Sequence, residues 1–581
     1  MSHYKTQAWF AGPLAACLLA TTIPMVAAET PAVNDTQPVE QTQKARTQSI
    51  DVEKLRNQIA EQQKQIDAMQ HMLAEQKRML EAAMGTQPAT TIQPGTAAAS
   101  AETPLWPAKA SREPLGEVAS ATPMIPLTES QKKETVTVAA TGEKASPLQF
   151  SIGNVTLMPV GFIDLTAVWR DKNAGSGIGT NFGSVPYNNV TAAHLSEFRF
   201  SPQNSRLGFR IDGDWKGAHF LNYNEFDFLG TSGSNNLGVT NGAFVPRLRL
   251  YWVDVRKDKF EVLGGQSWSM MTPNRKGISA LPGDLFYSQV IDVNYVIGLP
   301  WTRQPGVRFL VHPNKEVTFG FSVENPNQYI GGSGGLSATA VTLPSALTGL
   351  AGTQFDNATN VLVTPNLTPD FIAKVAFDPN ARVHFEIEGL LRTFKDWNPN
   401  THVTDTSTGA AGALNGNFEI VKNLRIATNN YWSDGGGRYL FGNAPDVIVS
   451  ATGSISPIHS GGFVEGLEFN ATKRLLLYAY WGGLYIKRNV AIDTNGKQVG
   501  YGFTGSAGTN NRMLNEVTFG FNQTFWKDGK YGAINLMGQY EYLTRNPWYV
   551  AAGAPKSAHD NTIYFNLRYT LPGSAPTIVP K

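Results

Sequence analysis

The sequence predicts an all-β transmembrane barrel of about 16 antiparallel strands, preceded by an N-terminal α-helical coiled coil. Three observations lead there. First, composition changes abruptly near residue 148. Residues 1–147 hold 4 of the 61 aromatics and 5 of the 56 glycines of this 581-residue chain. Second, segments after that point alternate apolar and polar residues over lengths that cross a bilayer at a tilt. Third, no apolar run approaches the ~18 residues a spanning helix needs, apart from a broken stretch at the N-terminus. A membrane role must therefore use strands.

Residues 1–28 read as an export signal. Lys5 gives the positive start, Ala8 to Ala20 is mostly apolar, and Val26-Ala27-Ala28 supplies the small residues that signal peptidase needs. Leu14-Ala15-Ala16-Cys17 offers a lipoprotein box as a rival, but the apolar run continues past Cys17 through Leu18, Leu19 and Ile23. Residues 29–50 form a flexible segment.

Residues 51–84 contain neither Pro nor Gly and carry a heptad. With position a at Val52, the a residues are Val52, Ile59, Ile66, Leu73 and Leu80. The d residues are Leu55, Gln62, Met69, Gln76 and Ala83. Apolar residues at strict seven-residue spacing impose a left-handed supercoil, so this segment is expected to self-associate. A single amphipathic helix docked on the barrel is the alternative. The core is assigned to Val52, Leu55, Ile59, Ile66, Met69, Leu73 and Leu80. Residues 85–147 hold eight prolines among many Ala and Thr, the composition of a linker.

Residues 148–581 form the expected barrel. In the last strand Ile563, Phe565, Leu567, Tyr569 and Leu571 alternate with Thr562, Tyr564, Asn566, Arg568 and Thr570. The first set is expected to face lipid and the second the interior. Val517, Phe519 and Phe521 follow the same rule, as do Val317, Phe319, Phe321 and Val323, and Leu207, Phe209 and Ile211. Tight turns are expected at Arg256–Lys259, His312–Lys315, Asp378–Ala381 and Lys527–Lys530. The long outer segments are expected at Asp171–His194, Gly230–Phe244, Ser269–Trp301, Asn327–Pro369 and Asn398–Gly416, one or more of them folding inward. The pairing of 417–462 cannot be read from pattern. Trp169, Trp215, Trp252, Trp268, Trp481, Trp526 and Trp548 near strand ends suggest an interfacial girdle.

Charge and motifs narrow the function. The 48 Lys+Arg against 46 Asp+Glu leave +2, without the basic excess of a general nucleic-acid binder. One cysteine excludes a disulfide framework and a thiolate metal site. There is no His-Glu-x-x-His and no phosphate-binding loop; Gly175-Ser176-Gly177-Ile178-Gly179 is a weak glycine pattern in an expected surface loop. His219, His312, His384 and His459 are scattered. No catalytic residue, metal or cofactor is assigned.

Basic residues at interior parity are the better signal. Arg206 and Arg210 share one strand face, and Arg247 and Arg249 another. Arg308 and Lys374 sit inward on two more strands. A guanidinium ladder offers fork-shaped donors to carboxylates and concentrates anions locally. The bland alternative is that each pairs with an interior carboxylate such as Glu225, Asp227, Glu386 or Glu388. Both together would give one basic wall and an acidic wall opposite.

The order of export signal, coiled coil, linker and barrel resembles the DcaP-type trimeric outer-membrane porins of Gram-negative bacteria. So do the runs Pro246–Arg249, Gly264–Ser269, Arg303–Phe309 and Val323–Pro326. The resemblance implies a homotrimer of 16-stranded barrels in outer-membrane lipid, passing small anionic solutes, including carboxylates and dicarboxylates. The coiled coil would then lie in the periplasm. The chain departs from the pattern by continuing through Pro572–Lys581 after its last strand. A general non-selective porin, or an envelope tether whose coil reaches toward the cell wall, are the alternatives.

Overall fold

The computed structural model describes residues 148–230, 244–286, 289–332, 340–357 and 364–572. The export signal, coiled coil and linker lie outside the described residues. So do the heptad positions named above.

Sixteen strands close into one antiparallel barrel. They are β1 (Val155–Arg170), β2 (Arg206–Trp215, with a leading segment Glu197–Ser201), β3 (Ala218–Gly230), β4 (Val245–Lys257), β5 (Phe260–Trp268), β6 (Arg303–Val311), β7 (Val317–Glu324) and β8 (Asp370–Asn380). The second half comprises β9 (Val383–Asn398), β10 (Val403–Val421), β11 (Leu424–Asp434), β12 (His459–Thr472), β13 (Leu475–Ile486), β14 (Asn511–Asp528), β15 (Gly532–Pro547) and β16 (Ala558–Thr570). Each pairs with its sequence neighbour, and β16 returns to β1 with Phe162 opposite Thr570 and Arg170 opposite Thr562. Closure leaves no sheet edge unpaired.

Parity sorts the two faces as the alternation predicts. On β16, Ile563, Phe565 and Leu567 point out and are exposed, while Thr562, Tyr564, Asn566 and Arg568 are buried inside. Phe319 and Phe321 of β7 and Leu207 and Phe209 of β2 also point out. An apolar outer surface of this kind fits lipid or another apolar surface rather than water. The short connections share one end. The β2–β3 turn is the two residues Lys216-Gly217, both at positive φ, as a primed hairpin turn requires. The long connections share the other end.

Two expectations are corrected and one open stretch is resolved. The stretch Asn398–Gly416 is no outer loop: β10 occupies most of it, with Asn398 opposite Val403 and Val383 opposite Phe418. Its outward residues include Thr404, Thr406, Thr408 and Ala410, too small and polar to show an apolar alternation. The 417–462 region resolves into the end of β10, β11, a long connection and the start of β12. Finally, Trp252 and Trp268 leave the girdle, being only 1% exposed and interior. Trp169, Trp215, Trp481 and Trp526 do point outward, and Trp548 packs among the outer connections, donating to Ile486 O.

Trp252 turns inward because β4 is bulged. Leu248 lies opposite Phe226, but Leu250 lies opposite Glu225, so one extra residue is inserted. Arg249 and Leu250 both face in, and the parity beyond them flips.

Candidate functional site

The barrel interior is narrowed by the connection 269–302 between β5 and β6. It folds inward, and most of its described residues are buried. Its composition explains this. Met270, Met271, Ile278, Leu281, Leu285, Phe286, Val296, Ile297 and Leu299 are apolar and meet inward Leu310, Ile372, Leu484, Tyr478 and Tyr480 in two hydrophobic clusters, and Ile291 joins Val168, Met537 and Tyr564 in a third. Gly298, at φ +93°, lies directly on the wall. A Cβ there would sit 2.2 Å from Gly483 O and 2.5 Å from Phe463 O, so no larger residue fits.

Polar atoms of the wall hold the backbone of this connection. Met270 N donates to Glu324 of β7 (2.8 Å), Asn274 N to Glu386 of β9 (2.8 Å) and Gly277 N to Asp378 of β8 (2.9 Å). Gln289 N donates to the Tyr480 hydroxyl of β13 (2.9 Å), Ile291 N to Gln539 of β15 (2.5 Å) and Ile297 N to Glu516 of β14 (2.9 Å). Buried amide N–H groups outside a sheet need such acceptors. An ion pair joins them: Arg275 places Nη1 and Nη2 2.9 and 2.6 Å from the Glu468 oxygens of β12. Asp284, in the same connection, has its carboxyl pushed up to about 7 by burial, with Asp378 adding to the rise and Lys276 and Arg210 opposing it.

All six basic residues singled out by parity point inward. Arg206, Arg210, Arg249, Arg308 and Lys374 are buried, and the Arg247 side chain keeps 38% exposure. The structure brings Arg206, Arg247 and Arg249 together around two carboxylates of β3. Asp227 lies opposite Arg206 on one side and Arg247 on the other, by register alone. Arg247 grips Asp227 with Nε at 3.0 Å and Nη2 at 2.7 Å. Arg249 bridges Glu225 at 2.8 Å and Asp227 at 2.9 Å, and Arg206 stands 3.9 Å from Glu225. Arg210 clamps Asp212 of its own strand.

Lys374 is apart from this group. It lies 3.1 Å from Glu386 and 3.0 Å from Glu388, and donates to Thr272 O and Asn274 Oδ1 of the inward connection. Arg308 lies opposite Leu263 and Ser322 and within the field of Asp254. Cations and carboxylates are thus neighbours on adjacent strands. They are not divided between facing walls, because cross-strand neighbours lie only ~5 Å apart and pair first.

Several interior groups were not singled out from the sequence. Arg392 and Arg438 share Asp370 and, through Arg392, Asp446, which tie the connection 435–458 to β8 and β9. Arg392 stands at interior parity after Glu386 and Glu388, so alternation could have found it. Arg275 and Arg438 lie in irregular segments without period. Arg303, the first residue of β6, places its guanidinium 5.5 Å from the Trp268 ring centroid. Among the described residues no group of three or more His, Cys, Asp or Glu side chains is arranged to hold a metal ion.

No protein-family model and no curated protein matches the chain. Solved structures do. The DcaP outer-membrane channel of Acinetobacter baumannii superposes with a TM-score of 0.53 at 16% identity, covering 72% of this chain and 99% of that one. An anion-selective porin from Comamonas acidovorans gives a TM-score of 0.42 at 11% identity, over 72% and 100% of the two chains. OmpT of Vibrio cholerae gives 0.38 at 10%, over 73% and 99%. In fold, this chain is similar to the DcaP channel.

Proposed function

We propose that the protein is an outer-membrane diffusion porin for small anionic solutes, with mono- and dicarboxylates favoured. The observation that carries this is a closed 16-stranded barrel with an apolar outer face, whose interior is narrowed by one connection and lined with guanidiniums. Such a wall works without a cofactor. Solute moves down its gradient, and fixed cations raise the local anion concentration while screening keeps binding weak. Likeness in fold to the DcaP channel supports the channel class. The heptad of residues 51–84 supports a homotrimer with its coil in the periplasm.

The test is electrical. The purified protein in a planar bilayer under a KCl gradient is expected to conduct, with a reversal potential of anion sign. Native mass measurement in detergent is expected to give three chains. Absence of conductance would leave the tether; conductance without ionic preference would leave the non-selective porin.

A further inference from the structure

We infer that Arg303, where the inward connection rejoins the wall, captures the carboxylate of an entering solute. This assignment rests on the porin function proposed above. The interior cations that parity singled out lie close to carboxylates on the same or adjacent strands, or in the field of one. Arg170, Arg275, Arg392, Arg438 and Arg568 also face carboxylates, at 2.6–3.2 Å.

Arg303 differs. Among the described residues, no carboxylate or hydrogen-bond acceptor pairs with it, and its Nη1 is sealed from water without a partner. Beneath it lies the Trp268 ring, whose centroid is 5.5 Å from the guanidinium carbon of Arg303 and 5.5 Å from that of Arg249. Its charged neighbours are Arg249, Arg247 and Asp227. Asp227 already accepts from both of those arginines. Three guanidiniums therefore share one carboxylate near Trp268, with Glu225 taking only part of Arg249.

Positive charge in excess of fixed acid, in a partly enclosed site, calls for a mobile anion. The Trp268 face holds one side of the guanidinium by cation–π attraction. The Nε–Nη2 edge of the fork remains, neither of its atoms being sealed as Nη1 is, and its two parallel N–H groups match the two oxygens of a carboxylate. Arg425 also lacks a carboxylate within ion-pair distance, but Asn417 accepts from it and it lies near the short-turn end of β11, beside the Arg275–Glu468 pair.

The experiment compares wild type, Arg303→Gln and Arg303→Lys in planar bilayers, reading the chloride-to-potassium permeability ratio and the block of chloride current by added acetate. Arg303→Gln is expected to lower the ratio and weaken the block about fivefold. That is the factor matching ~1 kcal/mol between unit charges 4 Å apart in a water-like medium. Arg303→Lys is expected to keep the ratio, because the charge stays, and to weaken the acetate block, because the fork is lost. An anion-selective wild type with both readings unchanged in Arg303→Gln overturns the assignment alone. A cation-selective wild type overturns the anion preference and this assignment together. Should Arg303→Gln fail to insert, Arg303→Lys decides: acetate block equal to wild type overturns the assignment.

Discussion

Buried carboxylates serve two different walls of this barrel in two different ways. On β2 to β4, Glu225 and Asp227 meet guanidiniums on the adjoining strands. On β7 to β9 and β14, Glu324, Asp378, Glu386 and Glu516 meet backbone N–H groups of the connection 269–302. The first arrangement follows from register alone, since cross-strand neighbours are set once the hairpins form. The second exists only after a distant segment has folded into the barrel. One wall is therefore locally determined and holds positive charge in place. The other is a socket.

The comparison is broken most sharply at Arg275. Arg275→Ala removes the ion pair of the socket and leaves Glu468 buried with the Tyr480 hydroxyl as its donor and Arg425 in its field. A loss of about 3–5 kcal/mol is expected, as for any buried pair deprived of one partner. Unfolding of the detergent-solubilised variant in denaturant measures it. A loss below about 1 kcal/mol would mean that the apolar residues and the backbone hydrogen bonds seat the connection without this pair.

A smaller effect is expected from pH. Burial raises the Asp284 carboxyl from 3.8 to about 7 in the folded state, so the seated connection binds this proton more tightly than the unfolded chain does. Its contribution is fully present below pH 3.8 and is lost as pH rises through about 7. The connection should therefore loosen toward alkaline pH. Protection factors across 269–302, which divide out the base-catalysed intrinsic exchange rate, are expected to be lower at about pH 8 than at about pH 5.5, on either side of the shifted value. Asp284→Asn should abolish the difference in protection, and equal protection factors in the wild type would refute it.

The smallest effect belongs to the register-determined wall. The Arg247 side chain is 38% exposed, and Asp227 keeps Arg249 when it is removed. Arg247→Ala should cost about 0–1 kcal/mol in the same unfolding experiment. A loss above about 2 kcal/mol would show that the two walls depend on their charges equally.

How much of this was legible in the sequence follows the same division. Strands with a clean period of two, such as β16, β7 and β2, declare their faces, and the inward arginines follow from parity. The tight turns at Asp258 and Asn314 were legible from turn residues. β10 was hidden because Thr, Gly and Ala carry no alternation. The β4 bulge was hidden because one inserted residue leaves no mark in composition, yet it turns Trp252 inward. The socket was hidden because a carboxylate at interior parity looks the same whether a guanidinium or an amide will meet it. One clue was available. Residues 269–301 hold more Met, Leu, Ile and Val than a water-facing loop would, and Gly462, Gly482 and Gly483 open the wall where Gly298 approaches.

The socket has a consequence for how this barrel can change over generations. At Met270, Gly277, Gln289, Ile291 and Ile297 the wall grips the N–H of the main chain, a group supplied by every residue except proline. The grip is therefore indifferent to side-chain identity. The hydrogen bonds themselves would survive substitution at such points, while Met270 and Ile297 are held further by apolar packing and Gly277 by its φ of +55°. The wall acceptors and the side chains of the segment they hold are then separate sets of residues, and the second can vary without removing the first.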